Sequence, residues 1–156
     1  MEEIKVIKNE YLLDIEQLYN KAFEIDIKIY GTEEEISFRN KNQVEVFKKM
    51  SADDNVVMLG YFIDNKIVGF LTLNIHDFFL EYTNPFASIW SVCVDPDYRR
   101  RGIGRKLMIY AERLAKNEYN CESIYLYSGR SRRAAHALYE SLGYDSERKA
   151  FKKELK

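Results

Sequence analysis

Residues 92–106 read VCVDPDYRRRGIGRK and hold the most informative pattern in the chain. An apolar, β-branched run ends at Asp95, a short turn follows, and a helical pattern begins at Gly102 and Gly104 among arginines and lysines. The first N–H groups of a helix are unpaired and carry the positive end of its dipole, and glycine lets a phosphate approach the backbone closely. Cationic side chains at the same place would strengthen the binding of a pyrophosphate. The stretch therefore predicts a strand, a turn and a helix that together bind a phosphate-containing ligand.

The glycine spacing excludes two common phosphate-binding motifs. The turn contains neither the Gly-x-Gly-x-x-Gly pattern of dinucleotide-binding folds nor the Gly-x-x-x-x-Gly-Lys-Ser/Thr pattern of P-loops. The pattern that remains is Arg-x-x-Gly-x-Gly, formed by Arg99, Gly102 and Gly104.

The apolar periodicity on either side of this turn predicts a mixed α/β fold. Asn9 is expected to cap a first helix, and Thr32 with Glu35 forms a capping box for a second. Gly143 is expected to end the last helix. The predicted helices include 102–117 and 132–142, and the predicted strands are Ile4–Ile7, Val56–Ile63, Ile67–Ile75, Ala87–Val94, Ser123–Ser128 and Lys149–Leu155.

Length, composition and charge limit the class of protein. The 156 residues fit one domain, 1–156, with 46% hydrophobic and 31% charged residues. Residues 1–86 carry 9 basic and 16 acidic side chains, whereas residues 87–156 carry 15 and 9, so the net charge of −1 conceals an acidic and a basic half. No signal peptide, membrane-spanning run, disulfide framework or metal-ligand spacing is visible, which favours a cytoplasmic protein without a metal site.

A second segment raises the specificity of the first motif. The sequence AHALYESLGY at 135–144 is similar to the Ala-x-x-Leu-Tyr-x-x-x-Gly-Phe segment that follows Arg/Gln-x-x-Gly-x-Gly/Ala in the GNAT superfamily of N-acetyltransferases. The order of predicted elements also resembles that family, and the ending resembles its branch of aminoalkylphosphonate and other small-amine acetyltransferases. The resemblance implies a central, mostly antiparallel, twisted sheet of about six to seven strands flanked by about four helices.

The same resemblance implies acetyl-CoA as co-substrate and assigns site residues. Val94 would supply the backbone N–H for the oxyanion, Val92 would pair with the pantetheine arm, and Tyr139 would be the general acid. Arg132 stands where the family often has a cofactor-binding Asn. The implied cofactor-binding set is Val92, Cys93, Val94, Arg99, Arg100, Arg101, Gly102, Ile103, Gly104, Arg105, Lys106, Arg132, Ala135 and Tyr139.

The acceptor and the general base are less defined by the sequence. The acidic half favours a cationic primary amine, and Glu81, Asp77 and His76 are candidate bases, of which Glu81 is preferred. Trp90 and neighbouring aromatic residues fit either the core or the wall of an acceptor pocket. The alternatives are a protein or peptide N-acetyltransferase and a non-catalytic acyl-CoA-binding sensor. A nucleic-acid partner is disfavoured by the pI near 6.2, no membrane partner is expected, and a homodimer is possible.

Overall fold

One mixed sheet organises the first part of the computed structural model, which describes residues 1–30, 43–77, 80, 83–128 and 132–155. The described residues form two compact units, Met1–Leu126 and Tyr127–Lys156. The first unit contains β1 (Glu2–Val6), α1 (Leu12–Tyr30), α2 (Gln43–Ala52), β2 (Val56–Ile63), β3 (Lys66–His76), β4 (Phe86–Val94), α3 (Ile103–Asn117) and β5 (Ile124–Leu126), and the second contains α4 (Arg133–Ser141).

The sheet has the order β1-β2-β3-β4-β5, and only the β4–β5 pair is parallel. The hairpin between β2 and β3 was predicted and is confirmed. Its two turn residues, Asp64 and Asn65, have φ values of 47° and 67°. Positive φ at both positions gives a turn whose twist matches that of paired strands, and Asp and Asn tolerate it better than most residues.

Helices cover both faces of the sheet, as successive side chains of β3 show. A Cβ on Gly69 would lie 3.0 Å from Cγ2 of Ile103, so the absence of a side chain lets α3 pack closely on this face. Phe70 points to the opposite face, where its ring packs against Tyr19 of α1 and Phe47 of α2. The turn between β4 and α3 therefore lies where the chain crosses from the sheet to the α3 layer.

The second unit shows how α4 ends. Gly143 has φ of 91°, its N–H donates to the Glu140 carbonyl at 3.0 Å, and the Tyr144 N–H donates to the Tyr139 carbonyl at 3.1 Å. These two bonds satisfy carbonyls that a helix end otherwise leaves open. The predicted helix end at Gly143 is confirmed.

Two predicted features are wrong. The 3-10 turn Asn9–Tyr11 precedes α1, and Asn9 accepts a hydrogen bond from Ser51 Oγ instead of capping the helix. No strand forms over Lys149–Leu155 in the described residues, where Phe151 and Leu155 are exposed and the segment buries no apolar face that would stabilise a strand. The sheet consequently has five strands among the described residues, fewer than the six to seven expected.

The Thr32–Glu35 capping box lies outside the described residues. In the described part of the chain, no helix is long and apolar enough to cross a membrane.

Candidate functional site

Within the first unit, the outer edge of β4 is paired along only part of its length. Pairing with β5 runs from Ala87 to Ile89 and stops there, whereas β4 continues to Val94. In the described part of the first unit, no strand pairs with residues 90–94 on this side. Residues 91–94 are accordingly half-buried, while Ala87 and Ile89 are fully buried.

The direction of the backbone along this edge follows from its pairing with β3. Val94 lies opposite Gly69, and the Asp95 N–H donates to the Val68 carbonyl at 2.8 Å. The N–H and C=O groups of Val94 therefore point away from β3, and those of Val92, two residues earlier, point the same way. These are the two backbone positions expected to contact the thioester and the pantetheine arm.

Cys93 is placed differently from its two neighbours. Its backbone faces β3, where it is paired with Phe70, and its Sγ lies 4.0 Å from the Leu18 carbonyl of α1. Cys93 packs against the hydrophobic core as a small, partly buried side chain. It offers neither a backbone donor nor its thiol to the open edge.

A β-bulge lies just before the open edge. Thr72 pairs with Ser91 and Leu73 pairs with Ile89, so Trp90 has no residue opposite it. The indole N–H of Trp90 donates to Ser88 Oγ at 3.0 Å, and 59% of the Trp90 surface is exposed. A bulge re-aims a side chain and increases the local twist of a strand. Sequence reasoning missed it, since no Gly or Pro marks the position.

A buried carboxylate fixes the turn that follows β4. Asp95 accepts hydrogen bonds from Lys21 Nζ at 2.7 Å and from the Asp97 N–H at 3.0 Å. Burial by itself raises the pKa of Asp95, but Lys21, the Asp97 N–H and Lys66 together hold that pKa below its ordinary value. Asp95 is thus ionised and connects α1 to the turn.

The turn then exposes the start of α3. Arg100 and Gly102 have φ values of 62° and 77°, and no side chain caps the helix. The Lys106 N–H donates to the Gly102 carbonyl at 3.0 Å, which is the first bond of the helix. The N–H groups of residues 103–105 therefore have no acceptor within the helix. This arrangement is suited to binding an anion.

Gly102→Ala tests this turn. An alanine Cβ at Gly102 would meet no protein atom within 4 Å, but φ of 77° strains any side-chain-bearing residue by about 1 kcal/mol, and the Cβ would occupy space that a phosphate needs. We expect the Kd for CoA to rise about tenfold, which is the loss of about 1.4 kcal/mol of binding free energy. Gly143→Ala is the matched control, because φ there is 91° and the space is equally open. Equal CoA affinity in both variants would contradict the phosphate-binding role.

The cationic side chains of the turn do not all face the same way. Arg99 pairs with Asp26 through both terminal nitrogens, at 2.8 and 3.3 Å, and its Nε donates to the Val94 carbonyl at 3.2 Å. Lys106 donates to Glu2 at 2.9 Å and to Tyr61 at 3.1 Å. Both predicted cofactor ligands thus contact the protein itself through their side chains.

The remaining cations lie nearer the solvent. Arg101 lies over the Tyr98 ring at 5.0 Å, and its Nη2 is 3.4 Å from the Asp97 carbonyl. Arg100 and Arg105 are exposed. These three arginines are better placed than Arg99 to meet a ligand from solvent.

The Asp26–Arg99 pair provides a second prediction. If Arg99 acts by holding the turn against α1, Asp26→Asn and Arg99→Gln should weaken CoA binding by similar factors, about threefold to tenfold, and the double variant should be no weaker than either. Calorimetry measures all three Kd values. If Arg99→Gln weakens binding while Asp26→Asn leaves it unchanged, Arg99 contacts the phosphate directly.

The second unit holds the other predicted residues. Tyr139 lies on α4 with Ala135 one turn earlier, and its ring packs edge-on against Tyr144 at 6.3 Å. Burial raises the pKa of Tyr139, and the charge of Arg132 opposes that rise. The hydroxyl therefore keeps its proton at neutral pH, as a general acid requires. Arg132 is exposed at the start of α4 and makes no side-chain cap.

The structure describes two of the three candidate bases, His76 and Asp77. His76 Nε2 lies 2.7 Å from Ser88 Oγ, and its ring stacks on Phe86 at 4.5 Å. Asp77 is exposed, and Glu81 lies outside the described residues. Among the residues that the structure describes, no group of three or more His, Cys, Asp or Glu side chains could hold a metal ion.

Comparisons with known proteins identify the family to which the chain belongs. Residues 12–144 match the acetyltransferase (GNAT) family. An N-alpha-acetyltransferase of Saccharolobus solfataricus is 34% identical over 87 residues, which are 53% of this chain and 52% of that protein. A [ribosomal protein bS18]-alanine N-acetyltransferase of Escherichia coli is 40% identical over 60 residues, which are 38% of this chain and 39% of that protein. The chain thus matches about half or less of the length of these curated relatives.

A solved structure shares the fold over nearly the whole chain. It is an aminoglycoside acetyltransferase, meta-AAC0020, from an uncultured soil metagenomic sample, in complex with sisomicin. The TM-score is 0.78 at 22% identity, and the alignment covers 99% of this chain and 97% of that chain.

Proposed function

The chain belongs to the acetyltransferase (GNAT) family, and from this premise we propose that it transfers an acetyl group from acetyl-CoA to a primary amine. One observation carries the proposal: the open edge of β4 leads directly into the uncapped start of α3. An extended acyl arm and a pyrophosphate need these two features in this order. We propose residues 1–156 as a single acetyltransferase domain, because the family match runs from the first unit into the second.

Backbone groups bind acetyl-CoA in this proposal. The N–H groups of residues 103–105 and the exposed Arg100, Arg101 and Arg105 receive the pyrophosphate. Val92 pairs with the pantetheine arm. Arg99 and Lys106 act on the cofactor indirectly, by holding the turn and α3 in place, because their side chains already bind Asp26 and Glu2.

The reaction is a direct transfer. The amine nitrogen attacks the thioester carbonyl carbon, a C–N bond forms, the C–S bond breaks, the nitrogen loses a proton and the CoA sulfur gains one. Negative charge develops on the carbonyl oxygen, and the Val94 N–H stabilises it. A preorganised donor of this kind is worth roughly 3 kcal/mol of activation free energy.

Two proton transfers complete the reaction. Tyr139 donates a proton to the leaving thiolate, whose conjugate thiol has a pKa of about 8.5. The attacking amine, with a pKa of about 10.4, must first lose its proton. Glu81 remains our proposal for that base.

The acceptor that we propose is a small cationic amine. The acidic charge of residues 1–86 supports it, as does the resemblance of the fold to an aminoglycoside acetyltransferase. The second candidate is a protein amino group, which the identity to an N-alpha-acetyltransferase and to a ribosomal-protein N-acetyltransferase supports. We propose a cytoplasmic location, consistent with two free cysteines.

An acceptor panel tests the proposal. The purified chain is mixed with acetyl-CoA and with polyamines, amino sugars, aminophosphonates, amino acids or peptides, and free thiol is followed with a colour reagent. Thiol release with cationic small amines supports the proposal, whereas release only with peptides selects the second candidate. Tight CoA binding without release from any acceptor would indicate an acyl-CoA sensor.

A further inference from the structure

A row of polar side chains crosses β3 and β4 beside the open edge. Asn74 lies opposite Ser88, and Thr72 lies opposite Ser91. The bulge at Trp90 joins these two pairs, and the Trp90 indole bonds to Ser88. We call these five residues the polar patch. Ser91 directly precedes Val92, so the patch adjoins the part of the open edge that is expected to pair with the pantetheine arm.

Helices α1 and α2 pack on the face that carries this patch. Phe70 precedes Thr72 by two residues, so both side chains project from the same face of β3. On that face the Phe70 ring packs against Phe47 of α2 at 5.9 Å. Gln43 lies one turn before Phe47 on α2, and the face that buries Phe47 also buries Gln43.

Several buried oxygens on this face have no partner. Thr72 is fully buried, and neither its Oγ1 nor the Oδ1 of Asn74 has a hydrogen-bond partner in the described structure. The same holds for Oε1 of Gln43, a residue that is 7% exposed. A buried polar atom without a partner costs about 1–3 kcal/mol of stability, and proteins seldom keep such atoms without a reason. Buried oxygens in this state are complementary to a ligand that donates hydrogen bonds.

Trp90 adds a different interaction at the edge of the patch. Its N–H donates to Ser88 Oγ and 59% of its surface is exposed, so the indole reaches solvent beside the patch. An indole face attracts a cation within about 6 Å of its centre. The patch therefore combines neutral oxygen acceptors with an aromatic face and contains no carboxylate of its own.

We propose that the polar patch binds a second, charged ammonium group of the acceptor, so that the acceptor is an alkyl diamine or a polyamine. This inference rests on the proposed acetyl transfer. The amine that attacks must be neutral, whereas an ammonium is purely a donor and needs acceptors. An alkyl ammonium with a pKa of about 10.4 is charged throughout the working range of such an enzyme. The group in the patch is therefore one that does not react.

Putrescine and butylamine form the matched pair of acceptors, since they differ only in the second amine. We expect kcat/KM for putrescine to exceed that for butylamine by about tenfold or more, as expected for charge-assisted hydrogen bonds. Thr72→Val, which keeps the shape and removes the hydroxyl, should raise the KM for putrescine about tenfold and leave that for butylamine unchanged. Thr72→Ser should restore most of the lost affinity.

The stability of Thr72→Val distinguishes a ligand-binding role of the Thr72 hydroxyl from a structural role. Because the Thr72 hydroxyl has no partner, Thr72→Val should leave the denaturation midpoint unchanged or higher, whereas a structural hydrogen bond would make it fall. Ser123→Ala is the control, since Ser123 Oγ is also buried without a partner but lies outside the patch. That variant should match the wild type with both amines.

Binding of the amine can also be measured without turnover. Trp90 is the single tryptophan of the chain, so its fluorescence should change when putrescine is titrated into the CoA complex, and butylamine should have little effect. Equal kcat/KM for the two amines, or no fluorescence change with putrescine, would overturn the inference while leaving acetyl transfer intact. A fluorescence change that Thr72→Val weakens, without thiol release, would support the patch and contradict the proposed function.

Discussion

Tyr139→Phe should lower kcat about a hundredfold and leave the Kd for CoA within about twofold of the wild type. The substitution removes only the hydroxyl, so the ring keeps its edge-on contact with Tyr144. Without an acid, the thiolate must leave unprotonated or take its proton from water. Steady-state thiol release gives kcat, and calorimetry gives the Kd.

The pH profile sharpens this prediction. Burial raises the pKa of Tyr139, so the protonated form persists through neutral and mildly alkaline pH and is lost as pH rises through that value. The wild-type kcat should fall as pH rises through the pKa of Tyr139, and the kcat of Tyr139→Phe should not show this decrease. Tyr144→Phe is the control, because it removes a hydroxyl from the contacting ring and should leave kcat unchanged. A wild-type kcat in Tyr139→Phe would contradict the role of Tyr139 as the acid.

Asp95→Ala should lower the free energy of unfolding by about 2–3 kcal/mol. This loss is smaller than the loss from breaking a fully buried ion pair, because Lys21 is partly exposed. The substitution removes the acceptor of the Asp97 N–H and one of the two carboxylates bound to Lys21. Denaturant titration measures the change. Asp97→Ala is the control, because Asp97 also binds Lys21 at 2.7 Å but is 73% exposed, and such pairs contribute about 1 kcal/mol or less.

Acid sensitivity provides a second readout for Asp95. Its pKa is lower in the folded protein than in the unfolded chain, so its stabilising contribution is fully present above the unfolded value of about 3.9 and is lost as pH falls through the folded one. Asp95→Ala should therefore lose stability less steeply than the wild type in that acidic range. If Asp95→Ala and Asp97→Ala lower the free energy of unfolding by similar amounts, the burial of Asp95 does not strengthen its contribution to stability.

Much of the fold could be predicted because local chemistry determines it. Runs of apolar, β-branched and aromatic residues, Asp64-Asn65 between two such runs and Gly143 after a helix each specify a structure from a few adjacent residues. The start of α3 belongs to the same class, since Gly102 supplies the left-handed backbone that the turn requires. The family followed from this turn and from the segment around Tyr139.

The parts that could not be predicted depend on distant neighbours. The bulge at Trp90 appears only in the register between β3 and β4, and the Asp26–Arg99 pair joins residues that are 73 positions apart. Arg99 was expected to bind the cofactor because it is the arginine of the Arg-x-x-Gly-x-Gly motif, and nothing local indicates that α1 supplies it with a carboxylate. The expected cap at Asn9 failed for the same reason, since Ser51 occupies that side chain.

The most direct test of the account follows one labelled acetyl group. The purified chain receives acetyl-CoA with an isotopically labelled acetyl group and putrescine as acceptor, and mass spectrometry measures free CoA, acetylated amine and protein. Direct transfer predicts equal amounts of free CoA and labelled N-acetyl product, with no label on the protein. Label retained on Cys93 or elsewhere on the chain would contradict direct transfer, and the absence of labelled product with every amine of the acceptor panel would contradict the acetyltransferase assignment.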